Sequence, residues 1–164
     1  MKFTLNWPMN IEIAGGPSAG LEAVQELWVE YWDALGLPQS FQNFAEEWRS
    51  LPGVYAPPRG CLLLARIDGE PAGTAGFRPL PERVDSCEAK RLYVRPAFRG
   101  QGVARALLAR LIQEARKQGY RELYGDTLSS MEAALQLYNQ LGFVEVGPYS
   151  LNPTAGATYL RLSL

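Results

Sequence analysis

Residues 87–119 read CEAKRLYVRPAFRGQGVARALLARLIQEARKQG, and the rest of the chain is interpreted from this stretch outward. Its first part, which stops at Pro96, is short and rich in β-branched and aromatic residues, as is typical of a strand. The last part repeats apolar residues at the spacing of one helix face, and Gly119 stands where a helix would end in a left-handed residue. The stretch therefore predicts a strand, a glycine-containing loop at 99–104 and a helix.

The loop 99–104 reads RGQGVA and stands at the predicted start of the helix. The first N–H groups of a helix have no intrahelical partner, and the helix dipole adds positive potential there. Glycines let the backbone approach a ligand, so main-chain donors can hold a pyrophosphate, with Arg99 adding a charge-assisted bond. The alternative is that the glycines only form the turn. A Walker A loop is excluded because no Gly-Lys-Ser/Thr follows, and a dinucleotide fingerprint because Arg105 occupies the third glycine position.

Arg99, Gly102 and Ala104 form an R-x-x-G-x-A motif directly after a strand ending in LYVRP. This motif resembles the acetyl-CoA loop of the GNAT N-acetyltransferase superfamily, Q/R-x-x-G-x-G/A. A second segment, ALQLYNQLGFVEVGPY at 134–149, resembles the closing helix and strand of that family, A-x-x-L-Y-x-x-x-G-F. Two motifs in this order are more specific than either alone. The resemblance extends from about Cys61 to the C-terminus, and the sequence before it diverges.

The resemblance implies where acetyl-CoA, the cosubstrate, would bind. The strand before the loop would pair with the pantetheine arm through its backbone edge, and the loop would hold the pyrophosphate. The implied cofactor-binding residues are Leu92, Tyr93, Val94, Arg99, Gly100, Gln101, Gly102, Val103 and Ala104. Many relatives carry Asn seven residues before the tyrosine of the second motif, which is Tyr138 here. This chain has Met131 at that position, which puts this one contact with the CoA arm in doubt.

Acetyl transfer to an amine needs a base and an acid. An alkyl amine with a pKa of about 10 is mostly protonated at neutral pH, and the departing thiolate has to gain a proton. Because the chain contains no histidine, a carboxylate working through water is the natural base. Glu88 matches the family's glutamate, with a solvated or salt-bridged role as the equal alternative, and Asp126 or water alone are the other candidates. Tyr138 matches the tyrosine that protonates the CoA sulfur, the alternative being a packed core aromatic.

Length and composition predict one domain, residues 1–164, and cysteine usage predicts a reducing cytoplasm. A chain of 164 residues should bury roughly 70% of its unfolded surface. The net charge of −1 favours neither nucleic acid nor an anionic membrane. No apolar run approaches the roughly 20 residues of a membrane span, and no signal-peptide core is found. Cys61 and Cys87 are expected to be buried free thiols, with a disulfide as the minor alternative, and no metal site is expected.

Periodicity along the chain predicts an α/β (α+β) fold, and the resemblance implies a mixed, mostly antiparallel sheet of six to seven strands flanked by about four helices. The CLLLA run at 61–65 predicts a strand covered on both faces. Ser129 and Glu132 can form a capping box. The predicted elements are an edge strand within 1–16, helices at 20–35 and 41–49, a hairpin of 61–68 and 71–80, strands at 87–94 and 122–128, a helix ending at Gly142, and strands at 143–149 and 157–164.

The N-terminal region is rich in aromatic residues. They could line an acceptor pocket, although core packing is the favoured interpretation for most of them. Tyr55 and its neighbours are acceptor-site candidates by resemblance only. The aromatic residues that either line a pocket or pack in the core are Trp28, Tyr31, Trp32, Phe41, Phe44 and Trp48.

Two functions remain from different classes. The first is a CoA-dependent N-acetyltransferase in which a primary amine of a small molecule or polypeptide attacks the thioester directly. The second is a catalytically silent acyl-CoA-binding module with a sensing or regulatory role. Tyr138 together with a candidate base favours the enzyme. The sequence does not identify the acceptor among polyamines, amino acids, antibiotics and protein N-termini. It also does not distinguish a monomer from a homodimer, or show whether acyl groups other than acetyl are used.

Overall fold

The computed structural model describes residues 8–15, 20–38, 40, 43–149 and 155–164. These residues form seven strands and four helices. In chain order they are β1 (Met9–Ile13), α1 (Gly20–Leu35), α2 (Phe44–Ser50), β2 (Cys61–Ile67), β3 (Glu70–Pro79), β4 (Ser86–Val94), α3 (Val103–Lys117), β5 (Glu122–Leu128), α4 (Glu132–Gln140), β6 (Val144–Val146) and β7 (Ala157–Ser163).

The strands form one sheet in the order β1-β2-β3-β4-β5-β7-β6. All neighbours are antiparallel except β4 and β5, which are parallel and are joined through α3. A parallel pair requires such a crossover, because a tight hairpin can join only antiparallel strands. The predicted mixed, mostly antiparallel sheet with about four helices is confirmed.

The parallel pair opens part of the way along its length. The ladder runs from the pair Ser86 and Glu122 to the pair Ala89 and Gly125, and it stops there although both strands continue. Each strand therefore leaves one backbone edge without a strand partner beyond this point, and the two strands bound a cavity.

A β-bulge lies in β4 where the opening begins. Lys90 pairs with Gly76 and Tyr93 with Thr74, so two residues of β4 stand opposite one residue of β3. Arg91, one of these two residues, has a φ of 60°. Side chains rarely adopt this left-handed conformation, and a bulge also re-aims the strand that contains it.

Two hydrophobic clusters cover the two faces of the sheet. Leu63 of β2 packs in the cluster with α3, whereas Leu62 and Leu64 pack in the cluster with α1. All residues at 61–65 are buried, which confirms the prediction that this strand is covered on both faces. A fully buried leucine contributes about 1.5–3 kcal/mol relative to an exposed one, so this strand anchors both layers.

Other predictions are confirmed or corrected by the structure. The helix at 20–35 is confirmed, and Cys61 and Cys87 are buried free thiols. The second helix begins at Phe44; positions 41 and 42, including Phe41, lie outside the described residues. The strand predicted at 143–149 is shorter, Val144–Val146, and Gly147 and Pro148 follow it directly.

The predicted capping box of α4 is wrong. The residue before the helix is Met131, and no side chain caps the first turn. The hydroxyl of Ser129 instead forms a 2.8 Å hydrogen bond with that of Thr158, and its backbone N–H donates to the carbonyl of Gly156 at 2.8 Å. Ser129 is thus held by the segment that leads into β7, three residues before the helix starts.

In the described parts of the chain, no helix is long and apolar enough to span a membrane.

Candidate functional site

A cavity of about 410 Å³ lies where β4 and β5 separate. Residues of α1 form one wall, the ends of β4 and β5 form the sides, and α4 contributes the tyrosine predicted from the sequence. The cavity volume is within the usual range for small-molecule sites, about 300–1,000 Å³. The residues that the argument uses are Tyr31, Trp32, Leu35, Leu37, Lys90, Arg91, Leu92, Asp126 and Tyr138.

Tyr138 is a buried residue of α4 that lines this cavity. Its ring packs edge-on against Phe143, with centroids 5.0 Å apart. A Cβ added to Gly125 would lie 4.0 Å from the Tyr138 hydroxyl oxygen, which locates the phenol beside the last residue of β5 that pairs with β4. Burial raises the pKa of Tyr138, and the nearby Tyr31 and Asp126 raise it further. The phenol therefore stays protonated at neutral pH and can act as a donor.

Asp126 and Glu88, the two carboxylates considered as bases, have different surroundings. Asp126 lines the cavity, and Lys90 Nζ donates to its Oδ1 at 3.2 Å. Glu88 is not among the cavity-lining residues and is buried. Its Oε1 accepts from Arg78 Nε at 3.3 Å, and its Oε2 lies 3.7 Å from Lys90 Nζ. Glu88 is therefore salt-bridged, while its role as the base stays a prediction, and Lys90 connects the two carboxylates.

The contacts of Asp126, Lys90, Glu88 and Arg78 form a chain of ion pairs, and this ion-pair chain continues to helix α2. Arg78 also donates to Glu47, and Arg91 donates to the other oxygen of Glu47 at 3.0 Å. The hydroxyl of Tyr55 donates to Glu47 as well, at 3.1 Å. Six charges thus alternate in sign from Arg91 to Asp126, and each is half-buried or buried. Tyr55, an acceptor-site candidate by resemblance, holds Glu47 and does not line the cavity.

The side chain of Arg91 is fixed by aromatic rings as well as by Glu47. Its guanidinium carbon lies 4.9 Å from the ring centroid of Trp32, 5.4 Å from that of Trp28 and 5.6 Å from that of Phe44. Cation–π contacts of this kind are stronger when they are desolvated. Residues of α1 and α2 therefore hold the side chain of Arg91, the residue in the bulge of β4.

The loop at 99–104 fits an anion. Gly102 is the residue before α3, with a φ of 82°, Gly100 has a φ of 79°, and no side chain caps the helix. A Cβ added to either glycine would meet no atom within 4 Å, so the space beside the loop is open. Arg99 is exposed and its Nε donates to the carbonyl of Val94 at 3.0 Å, which ties the loop to the end of β4. Val103 is buried in the core and Ala104 is half-buried.

The segment predicted to pair with pantetheine connects the cavity to this loop. Leu92 lines the cavity, and Val94 contacts Arg99 of the loop. The side chain of Tyr93 packs on the α1 side of the sheet, where its hydroxyl donates to Glu30 at 3.5 Å. Because the ladder with β5 has already ended, the backbone edge of this segment is available for pairing.

The sequence interpretation missed the bulge and the ion-pair chain. No glycine or proline signals the left-handed residue at Arg91, and the contacts that support it come from distant parts of the chain. Tyr31 and Trp32 were assigned mainly to the core, yet both line the cavity. Trp32 belongs to the core as well, since it is buried and stacks on Phe44 with centroids 4.3 Å apart.

The chain resembles known acetyltransferases in sequence and in fold. Residues 21–143 match the acetyltransferase (GNAT) family. An uncharacterized N-acetyltransferase of Schizosaccharomyces pombe is 35% identical over 159 residues, which is 96% of this chain and 97% of that protein.

Two solved structures share the fold. A GNAT-family acetyltransferase of Staphylococcus aureus superimposes with a TM-score of 0.77 at 18% identity, covering 95% of this chain and 99% of the other. An acetyltransferase of Salmonella typhimurium, solved with its cofactor acetyl-CoA, gives a TM-score of 0.70 at 23% identity, covering 95% and 94%.

Proposed function

The chain belongs to the GNAT family of acetyltransferases, and we propose that it transfers the acetyl group of acetyl-CoA to a primary amine of a small molecule or polypeptide. Membership of the family supports acyl-CoA-dependent acetyl transfer in general. That residues 1–164 form one domain and that the protein acts in the cytoplasm stay predictions.

Acetyl-CoA would be held by the segment 92–94 and the loop 99–104. Support comes from the unpaired edge of β4, the open space beside Gly100 and Gly102, and the uncapped start of α3. Backbone N–H groups at a helix start and glycines without an obstructing neighbour suit a pyrophosphate. The related Salmonella structure contains acetyl-CoA. When bound, this cosubstrate supplies an acyl group that is already activated as a thioester.

Tyr138 is proposed as the group that protonates the departing thiolate. The single observation that carries the proposed function is the presence of this buried phenol and the Asp126 carboxylate in one cavity at the opening of β4 and β5. The raised pKa of Tyr138 keeps its hydroxyl protonated at neutral pH, so the group can donate a hydrogen bond or a proton. A neutral donor aimed at a developing negative charge stabilises the transition state more than the ground state.

Asp126 is proposed as the base ahead of Glu88. Asp126 lines the cavity, so it can take a proton from the acceptor directly or through one water. Glu88 is held between Arg78 and Lys90 and would act mainly by keeping Lys90 in place. Removing the proton makes the amine nucleophilic, and the walls of the cavity orient it toward the acyl carbon.

Two measurements test this function. In a thermal melt, CoA at about 100 times its dissociation constant should stabilise the protein by roughly 2.7 kcal/mol, whereas ATP and NAD should not. Release of free thiol from acetyl-CoA should then depend on an added amine. An equal shift with ATP or NAD would contradict the cosubstrate. Tight CoA binding with no transfer to any amine in a broad panel would instead indicate the catalytically silent binding module.

A further inference from the structure

We propose that the acceptor is a small monoamine with an aromatic or branched apolar body and no carboxylate, and that its ammonium replaces Lys90 Nζ at Asp126. This proposal rests on the proposed function, since it names the substrate class of the same cavity. Phenethylamine represents the class in the experiments below.

Charge at the cavity wall sets the first requirement. Among the described residues that line the cavity, three carry charge: Lys90, Arg91 and Asp126. Asp126 is the only carboxylate of the three, so the cavity offers one anionic group to an ammonium. A second ammonium, as in a polyamine, would lose its hydration without gaining a counter-charge there.

Lys90 can release Asp126 without becoming an isolated buried charge. Its ammonium lies 3.2 Å from Asp126 and 3.7 Å from Glu88, and its side chain is 10% exposed. When an acceptor ammonium binds Asp126, Lys90 retains Glu88 as its partner. In the free protein Lys90 therefore occupies the place of the substrate ammonium, and it competes with the substrate for Asp126.

The two cations at the cavity do not form a ready site for an acceptor carboxylate. Lys90 already contacts two carboxylates, and Arg91 is bonded to Glu47 and stacked on aromatic rings. To bind a carboxylate, Arg91 would have to give up its ion pair with Glu47, which is costly. Lys90, once displaced from Asp126, is still neutralised by Glu88. The balance of charge therefore disfavours a zwitterionic amino acid.

The remaining lining is mostly apolar, and its polar groups include the hydroxyls of Tyr31, Thr127 and Tyr138. Tyr31 and Trp32 lie edge to face with centroids 6.3 Å apart, and Leu35 and Leu37 continue this surface. An aromatic or branched hydrocarbon body gains from such a wall, whereas a polyhydroxylated amine would bury hydroxyl groups against carbon. The cavity of about 410 Å³ must also receive the thioester end of the cosubstrate, so the acceptor should be no larger than one ring and a short chain.

The first experiment compares three amines with the wild-type protein and acetyl-CoA by thiol release. Phenethylamine and phenylalanine differ only by the carboxylate, and putrescine adds a second ammonium in place of the ring. We expect kcat/KM for phenethylamine to exceed both others by about tenfold or more, the effect of one unmatched charge. A preference for phenylalanine or putrescine would overturn the inference and leave acetyl transfer intact. Transfer to none of a broad amine panel would contradict the proposed function itself.

The second experiment removes the competing ammonium. In Lys90→Gln, Asp126 no longer has a resident cation, so KM for phenethylamine should fall about threefold or more, as expected for one partly buried ion pair. Asp126→Asn should raise the same KM. Affinity for CoA, measured separately, should not change in either variant. An increase of KM in Lys90→Gln would mean that Lys90 binds the acceptor, and the inference would then be wrong.

Discussion

The guanidinium of Arg91 donates to the carboxylate of Glu47 at 3.0 Å, which joins the bulge of β4 to helix α2. Arg91 has a φ of 60°, a conformation that costs free energy for a residue with a side chain. The contact with Glu47 and the three aromatic rings offset that cost. The bulge in turn directs the end of β4 along the cavity, so a contact outside the cavity supports its shape.

Replacing Glu47 should lower stability markedly. Glu47→Gln removes the negative charge shared by Arg78 and Arg91, and leaving such cations in a half-buried place should cost about 2 kcal/mol or more. The free energy of unfolding, measured by urea denaturation, tests this. Glu46→Gln is the matched control, because Glu46 is the preceding residue of the same helix and is exposed. Equal stability of both variants would show that the ion pair does not support the bulge.

Stability should fall in mild alkali because of the two thiols. Burial raises the pKa of Cys61 and of Cys87 to about 12; Glu114 raises that of Cys61 further, and Cys61 and then Glu88 raise that of Cys87. The unfolded chain releases these protons near pH 9, so it binds fewer protons than the folded chain above that pH. The free energy of unfolding should therefore fall by about 1 kcal/mol per thiol between pH 9 and pH 10.

Urea denaturation at a series of pH values measures this loss. Cys61→Ala and Cys87→Ala should each remove part of the slope between pH 9 and pH 10. Above pH 10 the buried tyrosines add to the fall, since their pKa values are raised as well. A slope that the cysteine substitutions leave unchanged would contradict the assignment.

Gly102 and Gly119 allow a controlled test of the CoA loop. They flank the two ends of α3, have φ values of 82° and 87°, and would each place an added Cβ in open space. Alanine at either position should cause similar backbone strain, about 1–2 kcal/mol. Only Gly102→Ala should weaken CoA binding, by about tenfold or more, because its Cβ enters the space proposed for the pyrophosphate.

Isothermal titration with CoA provides the measurement. Both variants should lose similar stability in urea, which separates strain from ligand contact. If the two variants bind CoA equally well, Gly102 is only a turn residue.

The two carboxylates should differ in their effect on the pH profile. Asp126→Asn removes the proposed base, so kcat should fall by at least about tenfold at neutral pH and recover partly as the pH approaches that at which the amine deprotonates by itself, about 10. Glu88→Gln should cause a smaller loss with the wild-type shape, because Glu88 is held between Arg78 and Lys90. The reverse pattern would assign the base to Glu88.

Local pattern was enough to predict most elements. The apolar stripe of α1 and the turn at 68–69 depend on residues close in sequence, and their boundaries agree with the structure within one or two residues. The capping box failed for the opposite reason. Ser129 has the right local spacing, but its hydroxyl bonds to Thr158, which is 29 positions away.

The site was predicted only in part, because several of its contacts join residues that are far apart in sequence. Tyr138 was identified by its match to the family motif and Asp126 only as the second candidate base after Glu88; both line the cavity, and their catalytic roles stay predictions. The bulge at Arg91 could not be predicted, because its supporting contact with Glu47 spans 44 positions and no sequence pattern encodes it. The role of Lys90 likewise depends on Asp126, 36 positions away on the neighbouring strand.

The most direct test of the proposed catalytic site is kcat of Tyr138→Phe, measured by thiol release with the best acceptor of the amine panel. The substitution removes the hydroxyl and keeps the ring against Phe143, so stability and CoA affinity should stay close to wild type. Tyr120→Phe is the control, since Tyr120 is also buried and its hydroxyl donates to the carbonyl of Arg59 at 2.7 Å, outside the cavity. We expect kcat to fall by at least about tenfold in Tyr138→Phe, the lower end for general acid catalysis, and to be retained in Tyr120→Phe. A Tyr138→Phe protein with the kcat of the wild type would contradict the assignment of the acid and return Tyr138 to a packing role.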